Sequence, residues 1–271
     1  MTGCLSAGLL AAAMAVATAG RVATAQDLPV DMTLVLAVDT SASVDATEYA
    51  LQRGGLAAAF RDREVAEAIA AGPLRRIAVA VIEWAGAAQQ VQVVGWTLID
   101  GPGGARSMAD RIDTLERSIP TGATSIAGAL AFGTALLRTA PFETARRVID
   151  LSGDGRNNQG RNVEDVRRVV VAQGVTINGL AILNERTGPF GYPILRDLDI
   201  YYEECVIVGQ GAFVLVADGF EDFGRAIRRK LVLEIADLAP RRALFRRVRG
   251  YDCLIGERQL QEWMKLNPLD P

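Results

Sequence analysis

Residues 34–43 read LVLAVDTSAS, an apolar run that stops at an acid and two hydroxyl residues. A short apolar run with β-branched members is typical of a strand buried on both faces of a parallel sheet. Asp39, Ser41 and Ser43 are spaced by two, so in an extended chain their side chains point the same way. Oxygen ligands at the carboxyl end of such a strand favour Mg²⁺ or a similar divalent ion. Alternatively, these residues only turn the chain and cap the next helix.

Two later stretches favour the metal interpretation. Residues 120–130 read PTGATSIAGAL, a loop of small residues that opens a helix, and residues 148–155 read VIDLSGDG, a strand that ends in an acid followed by Gly. With residues 39–43 they resemble the von Willebrand factor A-type (VWA) domain and its metal-ion-dependent adhesion site (MIDAS). That pattern is D-x-S-x-S, then a Thr after a Gly-rich turn, then a later Asp-Gly. The matching positions are Asp39, Ser41, Ser43, Thr124 and Asp154.

The resemblance implies a role for each of these residues. In VWA domains the hydroxyls bind the ion directly and the acids act largely through water, so Ser41, Ser43 and Thr124 would be direct ligands here. Neutral ligands leave the ion electron-poor, whether it is Mg²⁺, Mn²⁺ or Ca²⁺, and it then favours an Asp or Glu of a protein partner. The implied function is a metal-dependent adhesion or scaffolding module and not an enzyme.

Composition excludes several kinds of site. The 271 residues include no histidine, which removes Ser-His-Asp and Cys-His nucleophilic sites and His-ligated zinc. The net charge of -3 gives no overall attraction to nucleic acid or to an anionic membrane. Hydrophobic residues make up 50% of the chain, which is ample for a sizeable core.

An enzyme is the competing interpretation. Residues 152–158, SGDGRNN, resemble the acidic end of the motif of haloacid-dehalogenase-type phosphatases, which also begin with a nucleophilic Asp at a strand end. In that reading Asp39 is the nucleophile of a magnesium-dependent phosphatase. The phosphatase family needs a second acid two residues later as general acid, and this chain has Ser41 there. A hydroxyl cannot serve in that role, so the resemblance to the VWA family is favoured.

Strands alternate with helices along the chain. After the first strand, residues 45–48 fit a capping box for a helix that continues to about Phe60. Further strands are predicted at residues 76–84, 89–96, 146–152, 175–183 and 212–216. This alternation predicts an α/β fold with a doubly wound, mostly parallel sheet and helices on both faces. The VWA resemblance covers residues 30–238 and implies a six-stranded sheet in the order 3-2-1-4-5-6. In that order the strands that end in Asp39 and Asp154 are neighbours at the topological switch point.

The first 25 residues resemble a secretory signal. An apolar segment from Leu5 to Ala19 is shorter than a membrane span and precedes the sequence Ala-Thr-Ala at residues 23–25. No Lys or Arg precedes the apolar segment, and a buried N-terminal helix is the alternative. Cleavage near Ala25 predicts a periplasmic or secreted protein whose mature chain has no transmembrane segment.

Residues 239–271 form a basic extension that follows the predicted domain. Its arginines either contact an acidic partner or lipid head groups, or simply lie in solvent. Cys205 and Cys253 are the only cysteines of the mature chain, and in an oxidising compartment they either form a disulfide or remain two separate buried thiols. The whole length, including DCLIGE at residues 252–257, resembles a family of bacterial secreted VWA-like proteins, and that resemblance names no activity.

Overall fold

The computed structural model describes residues 28–184, 196–238 and 250–267. The predicted signal segment, most of the arginines in the basic extension and the predicted loop at residues 185–193 lie outside these ranges. The described strands are β1 Thr33–Asp39, β2 Ile77–Trp84, β3 Gln90–Ile99, β4 Arg147–Gly153, β5 Val175–Leu183 and β6 Val214–Asp218. The described helices are α1 Ala46–Arg61, α2 Arg63–Ala71, α3 Pro102–Asp113, α4 Ile126–Arg138, α5 Val163–Ala172, α6 Leu198–Tyr201, α7 Phe223–Ile235 and α8 Ile255–Leu266.

The six strands form one sheet in the order β3-β2-β1-β4-β5-β6. Strand β3 pairs antiparallel with β2 at one edge, and the other pairings are parallel. The prediction of a doubly wound, mostly parallel sheet with the order 3-2-1-4-5-6 is therefore confirmed. Strands β1 and β4 are neighbours, and their carboxyl ends lie at the point where the chain's winding direction reverses.

Strand β1 is apolar from Leu34 to Val38 because helices cover both of its faces. Leu34, Leu36 and Val38 belong to one core cluster, which α1, α2, α3 and α7 cover. Val35 and Ala37 point into a second cluster, beneath α4, α5 and α6. Burial of all seven residues of β1 on a two-sided sheet explains the continuous apolar run in the sequence.

Helix α1 begins as the sequence predicts. The side chain of Asp45 accepts hydrogen bonds from the backbone of Thr47 and Glu48, and the Glu48 carboxylate accepts one from the backbone of Asp45. This capping box satisfies amide groups that have no partner within the helix. It also fixes the direction in which the chain leaves the loop at residues 40–45.

Residues 250–267 pack against the domain through the disulfide that was one of the two alternatives for Cys205 and Cys253. After α6 comes a π-helical turn at Tyr202–Val206, and its Cys205 forms a disulfide with Cys253. Helix α8 follows two residues after Cys253. Among the described residues, no helix is long and apolar enough to cross a membrane.

Candidate metal centre

The loop after β1 brings the first three predicted ligands together. Asp39 is the last residue of the strand, and its Oδ1 accepts a 2.8 Å hydrogen bond from the backbone N–H of Ser41. This bond turns the chain at the strand end. The hydroxyl oxygens of Ser41 and Ser43 lie 3.1 Å apart and share a hydrogen bond.

The end of β4 contributes the fourth residue. Asp154 directly follows this strand, and its Oδ1 accepts a 2.7 Å hydrogen bond from the Ser43 hydroxyl. Gly153 is essential to this approach, because a Cβ at this position would lie 2.6 Å from Asp39 Oδ2. A side chain at position 153 would therefore displace the Asp39 carboxylate from its place beside the end of β4.

Thr124 lies beside the same turn, in the loop before α4. Its backbone N–H donates a 2.9 Å hydrogen bond to Asn158 Oδ1, and its carbonyl accepts one of 2.9 Å from the backbone of Asn158. A Cβ on Gly155 would lie 3.2 Å from Thr124 Oγ1. Thr124 therefore lies next to the loop that follows Asp154, while hydrogen bonds join Asp39, Ser41, Ser43 and Asp154 directly at the ends of β1 and β4.

Arg117 supports this loop, and sequence reasoning missed it. Its guanidinium donates hydrogen bonds to the carbonyls of Thr40 at 2.6 Å, Ser41 at 3.0 Å and Val44 at 2.8 Å. It also donates one of 2.8 Å to the carbonyl of Ile119. One side chain thus connects the loop after β1 to the loop before Thr124. No local sequence signal marks such an arginine, because three of its four partners are backbone carbonyls more than 70 residues away.

The two carboxylates lie in an unfavourable electrostatic environment. Burial, and then the charge of Asp154, raise the pKa of Asp39 to about 8. Burial also raises the pKa of Asp154 to about 6. The hydrogen bond from Ser43 lowers this pKa, and the negative charge of Glu48 raises it. Asp39 Oδ2 is buried and has no hydrogen-bond partner among the described residues. A cation at this point would satisfy that oxygen and offset the repulsion, so the residues present fit a divalent ion.

The donor set consists mainly of hydroxyls. Within the described ranges, no group of three or more His, Cys, Asp or Glu side chains is placed to hold a metal ion. The cluster formed by Ser41, Ser43 and Thr124 with two acids is a different kind of site, since neutral oxygens make up most of it. Hard cations such as Mg²⁺ accept such oxygens as ligands.

Helix α8 contacts the loop that follows Asp154. Asn157 Nδ2 donates a 2.7 Å hydrogen bond to Glu257 Oε1, and Arg156 donates one of 2.8 Å to Gln259 Oε1. A Cβ on Gly256 would collide with the backbone carbonyl oxygen of Asn157, so the helix lies directly against the loop. Residues 250–267, the described part of the extension, therefore pack against the loop beside the candidate site.

Comparison with solved structures shows the kind of fold. Proximal thread matrix protein 1 (PTMP1) from the mussel byssus, with a zinc-occupied MIDAS motif, is 20% identical, with 78% of this chain and 47% of that chain covered and a TM-score of 0.51. The pilus adhesin SpaC from Lactobacillus rhamnosus GG is 12% identical, with 78% and 31% covered and a TM-score of 0.53. A von Willebrand factor type A structure from Catenulispora acidiphila is 13% identical, with 78% and 48% covered and a TM-score of 0.49. This chain spans about half or less of the length of these proteins. The likeness to the first two shows the fold alone.

Sequence comparison gives the family. No curated protein matches the chain by sequence. A family model described as "Protein of unknown function (DUF1194)" matches residues 29–239, which include the six described strands and the five candidate ligands. With a fold of VWA type and this match over most of its length, the chain belongs to the DUF1194 family.

Proposed function

We propose that the chain is a metal-dependent protein-binding module. Asp39, Ser41, Ser43, Thr124 and Asp154 would hold one divalent ion, and a carboxylate of a partner protein would complete its coordination. The observation that carries this proposal is the convergence of four oxygen-bearing side chains, those of Asp39, Ser41, Ser43 and Asp154, at the ends of β1 and β4, around an Asp39 oxygen without a partner among the described residues.

The ligand chemistry supports adhesion over catalysis. When bound, the ion supplies a positive charge with a coordination position for an acidic group. The three hydroxyls add no negative charge, so the carboxylate of a partner is attracted more strongly than at a site built of acids. Ser41 lies where a phosphatase of the haloacid-dehalogenase type needs its general acid, and its hydroxyl is hydrogen bonded to Ser43.

The ion is Mg²⁺ or Mn²⁺ in this proposal, and Ca²⁺ is the third candidate. Zinc occupies the MIDAS motif of the similar mussel protein, which supports a divalent ion at the corresponding place here. Zn²⁺ prefers nitrogen and sulfur ligands, and this site offers only oxygen. The hydroxyl and carboxylate set suits the harder ions better.

The compartment is part of the proposal. The apolar segment before residue 26 is a predicted export signal, and the Cys205–Cys253 disulfide is the kind of bond that persists in a periplasm or outside the cell. We infer a periplasmic or secreted adhesion module composed of a VWA-like domain at residues 30–238 and the extension at residues 239–271. Loops at residues 121–123 and 156–161 border the site and would select the partner.

The test is capture of a partner from the envelope fraction of the native host. Immobilised wild-type protein is expected to capture the same protein repeatedly in Mg²⁺, and to lose it in EDTA and in the Thr124→Ala variant. Thr134→Ala is a matched control, because the Thr134 hydroxyl is bonded within α4 to the carbonyl of Leu130. Capture that persists in EDTA would contradict the proposal. Metal-dependent phosphate release from a generic phosphoester, abolished by Asp39→Asn, would favour the phosphatase instead.

A further inference from the structure

Two buried oxygens beside the candidate metal site lack hydrogen-bond partners among the described residues. They are Asp39 Oδ2 and the hydroxyl oxygen of Tyr202. A Cβ placed on Gly153 would lie 2.6 Å from the first and 2.9 Å from the second. Both oxygens therefore border the same small space beside the end of β4.

The position of Tyr202 is built into the sheet. Its ring lies near Gly179 of β5, where an added Cβ would be 2.8 Å from Tyr202 Cδ1, and its hydroxyl lies near Gly153 of β4. Two glycines on neighbouring strands thus make room for one aromatic side chain, which is fully buried. The π-helical turn that carries Tyr202 also contains Cys205, and the disulfide to Cys253 anchors that turn.

A hydroxyl at this place needs a partner. A buried polar group that is left unpaired is unfavourable, and phenylalanine would fill the same space without that penalty. A candidate acceptor at the same space is the unpaired oxygen of Asp39, or a water that this oxygen holds. The Tyr202 hydroxyl has a proton to donate, whereas an ionised carboxylate can only accept.

We propose that Tyr202 is a positioning residue of the metal site, whose hydroxyl donates a hydrogen bond to Asp39 Oδ2 or to a water bound there. This inference rests on the proposed function, because it assigns Tyr202 to the same divalent-ion site. Tyr202 would fix the orientation of Asp39, as groups behind metal ligands commonly do. It lies outside the D-x-S-x-S pattern and 48 residues after Asp154 in the sequence, so no motif includes it.

The test compares Mn²⁺ affinity in the wild type and in Tyr202→Phe by calorimetry on the full chain. We expect Tyr202→Phe to lower the affinity about tenfold or more, as is usual for groups that orient metal ligands. Thermal unfolding in EDTA should show that the variant is folded and no less stable than the wild type. Tyr49→Phe is the matched control: the Tyr49 hydroxyl donates a 2.7 Å hydrogen bond to Glu83, so its loss should lower stability and leave Mn²⁺ affinity unchanged.

A double-mutant cycle with Asp39→Asn provides the second measurement. If Tyr202 acts through Asp39, the loss of affinity in Asp39→Asn/Tyr202→Phe is smaller than the sum of the separate losses. Equal Mn²⁺ affinity in the wild type and Tyr202→Phe, or fully additive losses, would overturn the role of Tyr202 alone. No Mn²⁺ binding by the wild type would overturn this role and the proposed metal site together.

Discussion

The Ser43 hydroxyl donates a 2.7 Å hydrogen bond to Asp154 Oδ1, joining residues that are 111 positions apart. Ser43 follows β1 and Asp154 follows β4, and these two strands are parallel neighbours in the centre of the sheet. The sheet topology therefore brings together the two halves of the candidate site. Changes that alter the spacing of these strand ends are expected to affect metal binding before they affect the core.

Gly153→Ala tests that spacing. The added methyl group would meet Asp39 Oδ2 at 2.6 Å and the Tyr202 hydroxyl at 2.9 Å, so we expect a destabilisation of about 1–3 kcal/mol and a loss of Mn²⁺ affinity. Gly95→Ala in β3 is the control, since nothing lies within 4 Å of its added Cβ. Urea unfolding and calorimetry measure the two effects. Equal stability and equal Mn²⁺ affinity in Gly153→Ala and Gly95→Ala would show that the close contacts at Gly153 are not needed for folding or for metal binding.

Arg117→Lys tests the support of the loop after β1. Lysine cannot reproduce the planar set of hydrogen bonds to four carbonyls, so we expect a loss of Mn²⁺ affinity of about tenfold or more. Arg53→Lys is a suitable control because Arg53 donates to a single carbonyl, that of Leu115. Unchanged affinity in Arg117→Lys would show that the loop keeps its shape without the guanidinium.

Removal of the disulfide is expected to lower stability. The Cys205→Ser/Cys253→Ser variant frees a loop of 48 residues in the unfolded chain, and the expected cost is about 2–4 kcal/mol. Urea unfolding of this variant and of the oxidised wild type measures the difference. Two free thiols detected in the oxidised, denatured wild type would refute the bond itself.

A buried cluster of charged side chains, Lys230 and Glu234 of α7 with Asp150 of β4, predicts that the stability of the protein depends on pH. Lys230 contacts both Asp150, at 2.6 Å, and Glu234, at 3.0 Å. Burial, and then the charge of Asp150, raise the pKa of Glu234 to about 8. Because this pKa is higher in the folded than in the unfolded chain, the proton on Glu234 stabilises the folded state. That contribution to the free energy of unfolding is fully present below the unfolded pKa of Glu234 and is lost as the pH rises through about 8.

Glu234→Gln tests this dependence. Between pH 5 and pH 9 the wild type is expected to lose at least about 1 kcal/mol more stability than the variant, which corresponds to roughly 2–4 °C in Tm. Glu221→Gln changes an exposed carboxyl near the same helix and should leave the wild-type profile intact. Parallel pH profiles for the wild type and Glu234→Gln would contradict the assignment.

Most of the sheet could be predicted from the sequence because burial on both faces leaves continuous apolar runs. The strand predicted at residues 175–183 matches β5 residue for residue, and the predicted capping box is present at Asp45. Boundaries differ most at β3, which continues to Ile99, three residues beyond the prediction, as an edge strand of mixed exposure. The end of a strand is harder to locate from a pattern of half-buried residues than from a continuous buried apolar run.

Elements that depend on distant contacts could not be predicted. Only half of the residues of helix α8 are polar, and its contacts with the domain include the neighbouring disulfide and the approach of Gly256 to Asn157. The roles of Arg117 and Tyr202 likewise arise from atoms that only the folded chain brings together. The five motif residues were recognisable because a short spacing and two strand ends place them, whereas the groups that support them have no fixed spacing in the sequence.

Calorimetric titration of the mature protein with Mg²⁺ and Mn²⁺ tests the central proposal most directly. The wild type and the control Asp110→Asn, which changes an exposed acid paired with Arg61, are expected to bind one ion per chain. Asp39→Ala/Asp154→Ala is expected to bind none at this site while remaining folded. Equal metal binding by the wild type and Asp39→Ala/Asp154→Ala would contradict the account.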